Sequence, residues 1–339
     1  MRWLAGLLAA AVLAGCGGGD DRPAPPAPQL DPPGATEPAL APVPDETPPG
    51  RIVELGVRPE GVAVDVQSRM AAVAVRKPDR LLLIDSATGA VQREVALPGT
   101  ARHVSVAGPG GPFLVGAESA DALVEVDPRS GAKRVTAVGD FPHDATAVGE
   151  SIFTADEFGS TMSVVRDGRR VGQVPVDAQP GNVVAVGDGV AVISVRAYTV
   201  ELYDATSDEP RGLGSQSAGL GPSHAVPGPD GQLVIGDTRG RALMVYDTEP
   251  QLRFRARVEL DGTPVGLAAD PDRGRVWVAL SERNQAVPVD LRGEQPELGP
   301  PVATVRNPFS LAVEPATGRL LIASQSEGTL QLVTPAPPG

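Results

Sequence analysis

Groups that commonly carry out chemistry are scarce in this 339-residue chain: it has one cysteine, three histidines and only 3% aromatic residues. With Cys16 as its sole cysteine, it has no intrachain disulfide and no cysteine-built metal site or nucleophile in a folded domain. No internal stretch reaches 18 apolar residues, so no membrane-spanning helix is expected beyond the N-terminus. Cations are outnumbered, 29 Lys and Arg against 42 Asp and Glu, for a formal net charge of −13. Phosphates would be repelled, which argues against nucleic acid as a partner. Neither a G-x-S-x-G elbow nor H-E-x-x-H nor a P-loop is present. What is abundant is glycine, 40 residues, and proline, 36, a composition that suits short strands joined by many turns.

Arg2 opens an apolar run over residues 3–15 that ends in small residues, the pattern of an export signal. Its last residues, Leu13-Ala14-Gly15-Cys16, resemble the lipobox of bacterial lipoproteins. The resemblance implies a signal peptide over residues 1–15, cleavage before Cys16 and lipidation of that cysteine. It further implies an exported protein held on the outer face of the bacterial cytoplasmic membrane or cell envelope. Residues 16–49 are rich in Pro, Ala and Gly and poor in large apolar groups, so they are expected to form a disordered tether. In polyproline II such a tether rises about 3.1 Å per residue, a reach of up to roughly 100 Å.

From residue 50 a repeat appears. Its starts are Pro59, Ala101, Pro142, Pro180, Pro222, Pro264 and Pro308, spaced 38–44 residues apart. Each start leads into a short apolar strand, then a more apolar one, then a third that usually ends in aspartate, then a polar fourth. A period near 40 with only strand-like content is the signature of propeller blades. The seventh repeat stops after its third strand, at Val333, whereas residues 51–56 have the pattern of the missing strand. We therefore expect an all-β, seven-bladed propeller of four-stranded blades over residues 50–334, closed by the N-terminal strand pairing with the last blade, with a tail at 335–339. The fourth strand of the fourth repeat, residues 210–217, is poorly patterned and reads as irregular. Asp85 to Gly89 and Asp127 to Gly131 read as turns in which the carboxylate accepts backbone N–H groups. Trp277, between Val276 and Val278, reads as blade packing.

In a propeller, the start of each innermost strand and the end of the second strand lie on one face, at the channel mouth. Two positions after each repeat start stand Gly61, His103, Asp144, Asn182, His224, Gly266 and Ser310, and His143 precedes Asp144. All three histidines thus fall on this rim. After the second strands come Arg76, Glu118, Asp156 with Glu157, Arg196 with Tyr198, Asp237 and Gln325. The candidate ligand or catalytic residues are His103, His143, Asp144, Asn182, His224, Asp156, Glu157, Arg196 and Asp237. Imidazole with carboxylate is a workable ligand set for a divalent metal, here His103, Asp144 and His224, and equally a workable acid–base set. Polar residues at such positions also simply bond the neighbouring blade or channel water.

The repeat unit of Pro, polar, apolar-Ala-Val, Pro-x-x-Gly, Leu-x-Ile-Ala and Leu-x-Val resembles the YVTN-type and NHL-type propeller repeats of bacterial surface proteins. Phe141-Pro142-His143-Asp144-Ala145 and Pro222-Ser223-His224-Ala225-Val226 look like the Pro-x-His segments of seven-bladed lactonase-like propellers. That second resemblance implies a lactonase-like, metal-assisted hydrolase or lyase. The residues themselves leave three readings open: a lipid-anchored propeller that binds a partner or small ligand at its channel face, such an enzyme, or a structural surface protein. Of these the binding protein is the leading reading. A monomer held to the membrane by its lipid, with an unidentified protein or small-molecule ligand, is expected.

Overall fold

The computed structural model describes residues 40–44 and 46–336. The signal at 1–15, Cys16, the tether to residue 39 and the end of the tail at 337–339 lie outside the described residues. Seven antiparallel sheets follow one another in the chain, each ordered from an innermost to an outermost strand, in the ring arrangement of a β-propeller. Five of the seven innermost strands begin at the repeat-start proline, as in Pro142–Val148, Pro180–Val186 and Pro222–Pro227. Among the described residues no helix is long and apolar enough to cross a membrane.

Each blade interface has its own apolar core, because the strands in the middle of a blade are buried on both faces. In the strand Arg80–Asp85, Leu81 and Leu83 pack with Phe113 and Val115 of the second blade. The alternate residues, Leu82 and Ile84, pack with Leu321 and Leu330 of the seventh. This two-sided burial explains the near-continuous apolar second and third strands. Fully burying one such side chain contributes about 1.5–3 kcal/mol. Outermost strands are largely exposed, so their sequences are polar. That is why residues 210–217 look weak, yet Arg211–Ser217 is a regular strand paired with Thr199–Asp204. Its register shift at Leu202/Tyr203 matches those of the first, third and fifth blades. The irregular outer strand belongs to the sixth blade instead. There Glu297–Leu298 and Val302–Ala303 pair separately with Gln285–Asp290.

The ring closes as the repeat count requires. Arg51–Glu54 pairs antiparallel with Thr329–Val333, from Arg51 opposite Leu332 to Glu54 opposite Thr329. This covers the open edge of the seventh blade. The Asp turns form as expected: Asp85 Oδ1 accepts from the Ala87 and Thr88 N–H groups at 3.1 and 2.8 Å. Asp127 does the same with Arg129 and Ser130. Trp277 is 1% exposed in the core between blades six and seven.

Candidate functional site: the channel mouth

A bulge sets the site. In six blades the register slips just after the repeat start, between Pro59/Val62, Pro142/Asp144, Pro180/Asn182, Pro222/Ala225, Pro264/Leu267 and Pro308/Ser310. Bulges re-aim side chains at sheet rims, and in these six blades the residue two after the start lines the channel. All seven such residues, from Gly61 to Ser310, line a channel cavity of about 340 Å³. The glycines among them have a packing cause. A Cβ on Gly61 would stand 2.5 Å from the Arg102 carbonyl oxygen, and one on Gly266 would stand 2.6 Å from that of Phe309.

His103, from blade two, lies between the other two histidines. Its ring centroid is 4.9 Å from that of His143 and 5.0 Å from that of His224, with planes tilted by 51° and 49°. His143 Nδ1 stands 3.0 Å from Glu118 Oε1 and 3.1 Å from Glu157 Oε2. Burial pulls the pKa of His143 down. Its hydrogen bonds to the two carboxylates, together with their charges, more than reverse this and hold it at about 9. Burial drives His103 well below its ordinary value, helped by the charge of His143. Burial and the same charge bring His224 down to about 4. At neutral pH the cluster is therefore one imidazolium beside two neutral imidazoles.

The imidazolium ends a belt of charge that crosses several blades. Glu118, 1% exposed, receives Arg102 Nε at 3.1 Å and Arg76 Nη2 at 3.6 Å as well as His143. Burial pushes Glu118 up, but His143, Arg102 and Arg76 outweigh it and leave its pKa lowered. Arg76 also approaches Glu60 at 3.0 Å, Arg58 approaches Glu60 at 3.5 Å, and Gln325 donates to Glu60 from blade seven. Burial nonetheless raises the Glu60 pKa. Arg58, Arg76, Arg102 and His143 thus face Glu60, Glu118 and Glu157, a surplus of cation in a chain with net charge −13.

Asp144 and Asn182 pair with each other. Asn182 Nδ2 donates to Asp144 Oδ2 at 3.0 Å, Val183 N–H donates to the same oxygen, and Ala145 N–H donates to Oδ1. Burial pushes the Asp144 carboxyl up. Asp156 and Asp237 turn into their own blades. Asp156 accepts from Thr154, Thr161 and Ser163, and Asp237 accepts from the N–H groups of Leu220, Gly221 and Gly240. Arg196 is exposed in the turn after Gly189–Ser194, and Tyr198 accepts from Arg239 at 2.8 Å. His224 Nδ1 and Asn182 Oδ1 are buried without a hydrogen-bond partner.

The structure therefore brings together His103, His143, His224 and Glu157 and sets the Asp144–Asn182 pair beside them on the channel wall. Asp156, Asp237 and Arg196 stand apart. Glu60, Arg102 and Phe309 also reach the mouth, and they occupy the repeat position one before the channel-lining residues. Among the described residues no group of three or more His, Cys, Asp or Glu side chains is arranged to hold a metal ion. Asp144 engages both oxygens, Oδ1 with the Ala145 N–H and Oδ2 with Asn182 and the Val183 N–H.

Seven blades around a polar-lined channel mouth define a β-propeller. No family model matches the chain, and no curated protein matches it. Solved structures do. A hydrazine synthase of Kuenenia stuttgartiensis is 16% identical, with 84% of this chain and 97% of that chain covered and a TM-score of 0.72. Virginiamycin B lyase from Staphylococcus aureus is 12% identical over 84% and 99% of the two chains, TM-score 0.69. A catalytically inactive histidine-to-alanine variant of that lyase, with quinupristin, is 12% identical over 84% and 99%, TM-score 0.68. At these identities the likeness is one of fold.

Proposed function

We propose that this chain is a lipid-anchored, extracytoplasmic propeller whose mouth face binds a small ligand carrying an anionic or carbonyl group over His103, His143 and His224. One observation carries this reading: three histidines from three blades meet, with His143 charged and the other two neutral. The His143 imidazolium directs Nδ1–H to two glutamates, which leaves Nε2–H as a donor to a ligand oxygen. His224 and Asn182 line the same cavity and supply further polar wall. Imidazole NMR during titration with inorganic phosphate or acetate tests it. Saturable shifts at the three histidines, abolished in His143→Gln, are expected, and resonances indifferent to both anions would overturn it. The anchor is tested separately: a diacyl mass on Cys16, lost with membrane association in Cys16→Ser, is expected.

A second reading is favoured by the split protonation itself. Neighbouring groups held in opposite states are what acid–base catalysis needs. His143 could protonate a leaving oxygen while neutral His103 or His224 removes a proton, as a lyase or hydrolase requires. The lyase on this fold, whose histidine-to-alanine variant is inactive, makes quinupristin the natural probe. Opening of quinupristin by the purified protein, seen by mass spectrometry and lost in His103→Ala, would support an enzyme. The divalent-metal form of this reading predicts stoichiometric metal that is lost in the His103→Ala, His224→Ala double variant.

A further inference from the structure

Residues 40–44, near the end of the proline-rich segment, lie against Asn284 of the sixth repeat and Arg306, just ahead of the seventh. Ala41 is only 2% exposed. Its carbonyl accepts from Arg306 Nε at 2.8 Å, and the Pro42 carbonyl accepts from Asn284 Nδ2 at 3.0 Å. This strap forms one wall of a cavity of about 250 Å³ whose lining includes Leu40, Arg58, Ser281, Phe309, Gln325 and Ser326. Phe309 ties the cavity to the cluster, because its ring stands edge-on to His224 with centroids 6.2 Å apart.

The walls differ in chemistry. Leu40, 76% exposed, and Phe309 form an apolar side. Arg58 is the cation of the other side, and its charge is only partly answered. Glu60 lies 3.5 Å from Arg58 Nε but closer, 3.0 Å, to Arg76, while Arg58 Nη2 donates to the neutral amide of Gln325 at 2.8 Å. Arg58 remains 61% exposed. Two hydroxyls, Ser281 and Ser326, complete the polar side.

We propose that this cavity is a recognition subsite for a small aromatic or alkyl carboxylate. Its apolar part lies between Leu40 and Phe309, and its carboxylate pairs with the Arg58 guanidinium, whose planar fork suits a carboxylate. The subsite deepens the small-ligand reading above, since its wall residue Phe309 stands against His224, and it rests on that reading only for this contact. Leu40 belongs to the strap, so ligand binding and strap docking stabilise each other by the same free energy. Leu40, ahead of the ring, is thereby part of the site.

The test uses the full chain and three probes that share one apolar body: phenylacetate, phenethyl alcohol and phenethylamine. Affinity is read by calorimetry and contact by the His224 imidazole resonances. Phenylacetate should bind about tenfold or more tighter than the alcohol, with the amine weakest, and should shift His224. Arg58→Gln should reduce phenylacetate to the level of the alcohol and leave the alcohol unchanged. Leu40→Gly, at an exposed position that does not support the fold, should weaken both. Phenylacetate binding no tighter than the alcohol, or indifferent to both substitutions, overturns the subsite. Failure of the histidine reading looks different: phosphate and acetate leave the three histidines unmoved while phenylacetate still binds through Arg58 and Leu40.

Discussion

His103 of the second blade and His224 of the fifth place their imidazole centroids 5.0 Å apart, although two blades stand between them in the ring. The side chains meet over the channel mouth, with His143 on the far side of His103 at 4.9 Å. Neither His103 nor His224 has a carboxylate among the causes of its shift, whereas His143 has two. The charge of His143 therefore works on its neighbours. Replacing it with glutamine should move the His103 and His224 titrations upward, toward the ordinary value near 6.5. NMR titration of the imidazole resonances checks this, and unchanged values would mean that burial, with the charge of Arg102, depresses them without His143.

The same groups set how stability varies with pH. His143 has a folded pKa of about 9, above the ordinary 6.5. Its contribution is fully present below about pH 6.5 and is lost as pH rises through about 9. The shift corresponds to on the order of 3 kcal/mol. His224 runs the other way, with a folded pKa of about 4. Its contribution is present above about pH 6.5 and is lost as pH falls toward about 4. Thermal stability should therefore be greatest near about pH 6.5, falling as pH rises toward 9 and as pH drops toward 4. His143→Gln should flatten the alkaline limb and His224→Gln the acid limb, as followed by melting temperature across pH.

Much of this ring was legible in the sequence, for a physical reason. A blade whose middle strands are buried on both faces needs apolar runs, a proline start and turns at fixed offsets, and all of these repeat visibly. A seventh repeat that stops at Val333 and a spare strand at 51–56 pointed to closure in the same way. The positions lining the channel were legible because the residue after each is apolar. Convergence of the histidines was not legible. It depends on side chains from blades two, three and five reaching one another across the mouth, which the repeat pattern does not report. The belt through Glu60, Arg102 and His143 lies one position earlier in the repeat, on a register that carries Gly181, Ser223 and Val265 in other blades and so shows no chemical pattern. The strap at 40–44 was hidden for a different reason: it docks through the backbone carbonyls of Ala41 and Pro42, which side-chain patterns do not report.

Closure rests on the approach of Gly50 to the seventh blade. Its φ is +90°, and a Cβ there would stand 2.2 Å from the Leu332 carbonyl oxygen. Gly50→Ala should therefore push Arg51–Glu54 off its partner strand and expose a sheet edge. A loss of about 1–3 kcal/mol is expected, a drop of roughly 2–4 °C in melting temperature for each kcal/mol. Increased aggregation on heating should accompany it. Gly56→Ala is a suitable comparison. Gly56 also has a positive φ, but a Cβ added there would have nothing within 4 Å, so only backbone strain is introduced.

The core between blades six and seven turns on Trp277, whose indole is packed with Leu311, Leu320 and Ile322. Trp277→Ala should cost about 3–5 kcal/mol, the usual range for removing a large buried aromatic. Urea unfolding checks the magnitude, with circular dichroism as the readout because the substitution removes the propeller's own tryptophan. A cost near zero would mean that the groove beside it, which includes Pro288, Pro300 and Pro301, already admits solvent to the indole.

Glu118 separates a structural account of the mouth from a functional one. Three cations from three blades converge on this carboxylate: Arg76, Arg102 and His143. Glu118→Gln keeps the shape but leaves those cations short of a counter-charge, so a destabilisation of about 3–5 kcal/mol is expected. His143 should respond by releasing its proton more easily, since one of the two groups that hold its pKa at about 9 is gone. The Glu118→Gln, His143→Gln double variant should then be less destabilised than the sum of the single changes, with a coupling of about 0.5–3 kcal/mol. Additive single effects would show that Glu118 serves the two arginines alone. In that case the charge on His143 is held by Glu157, and the imidazolium at the channel mouth would survive the loss of the belt.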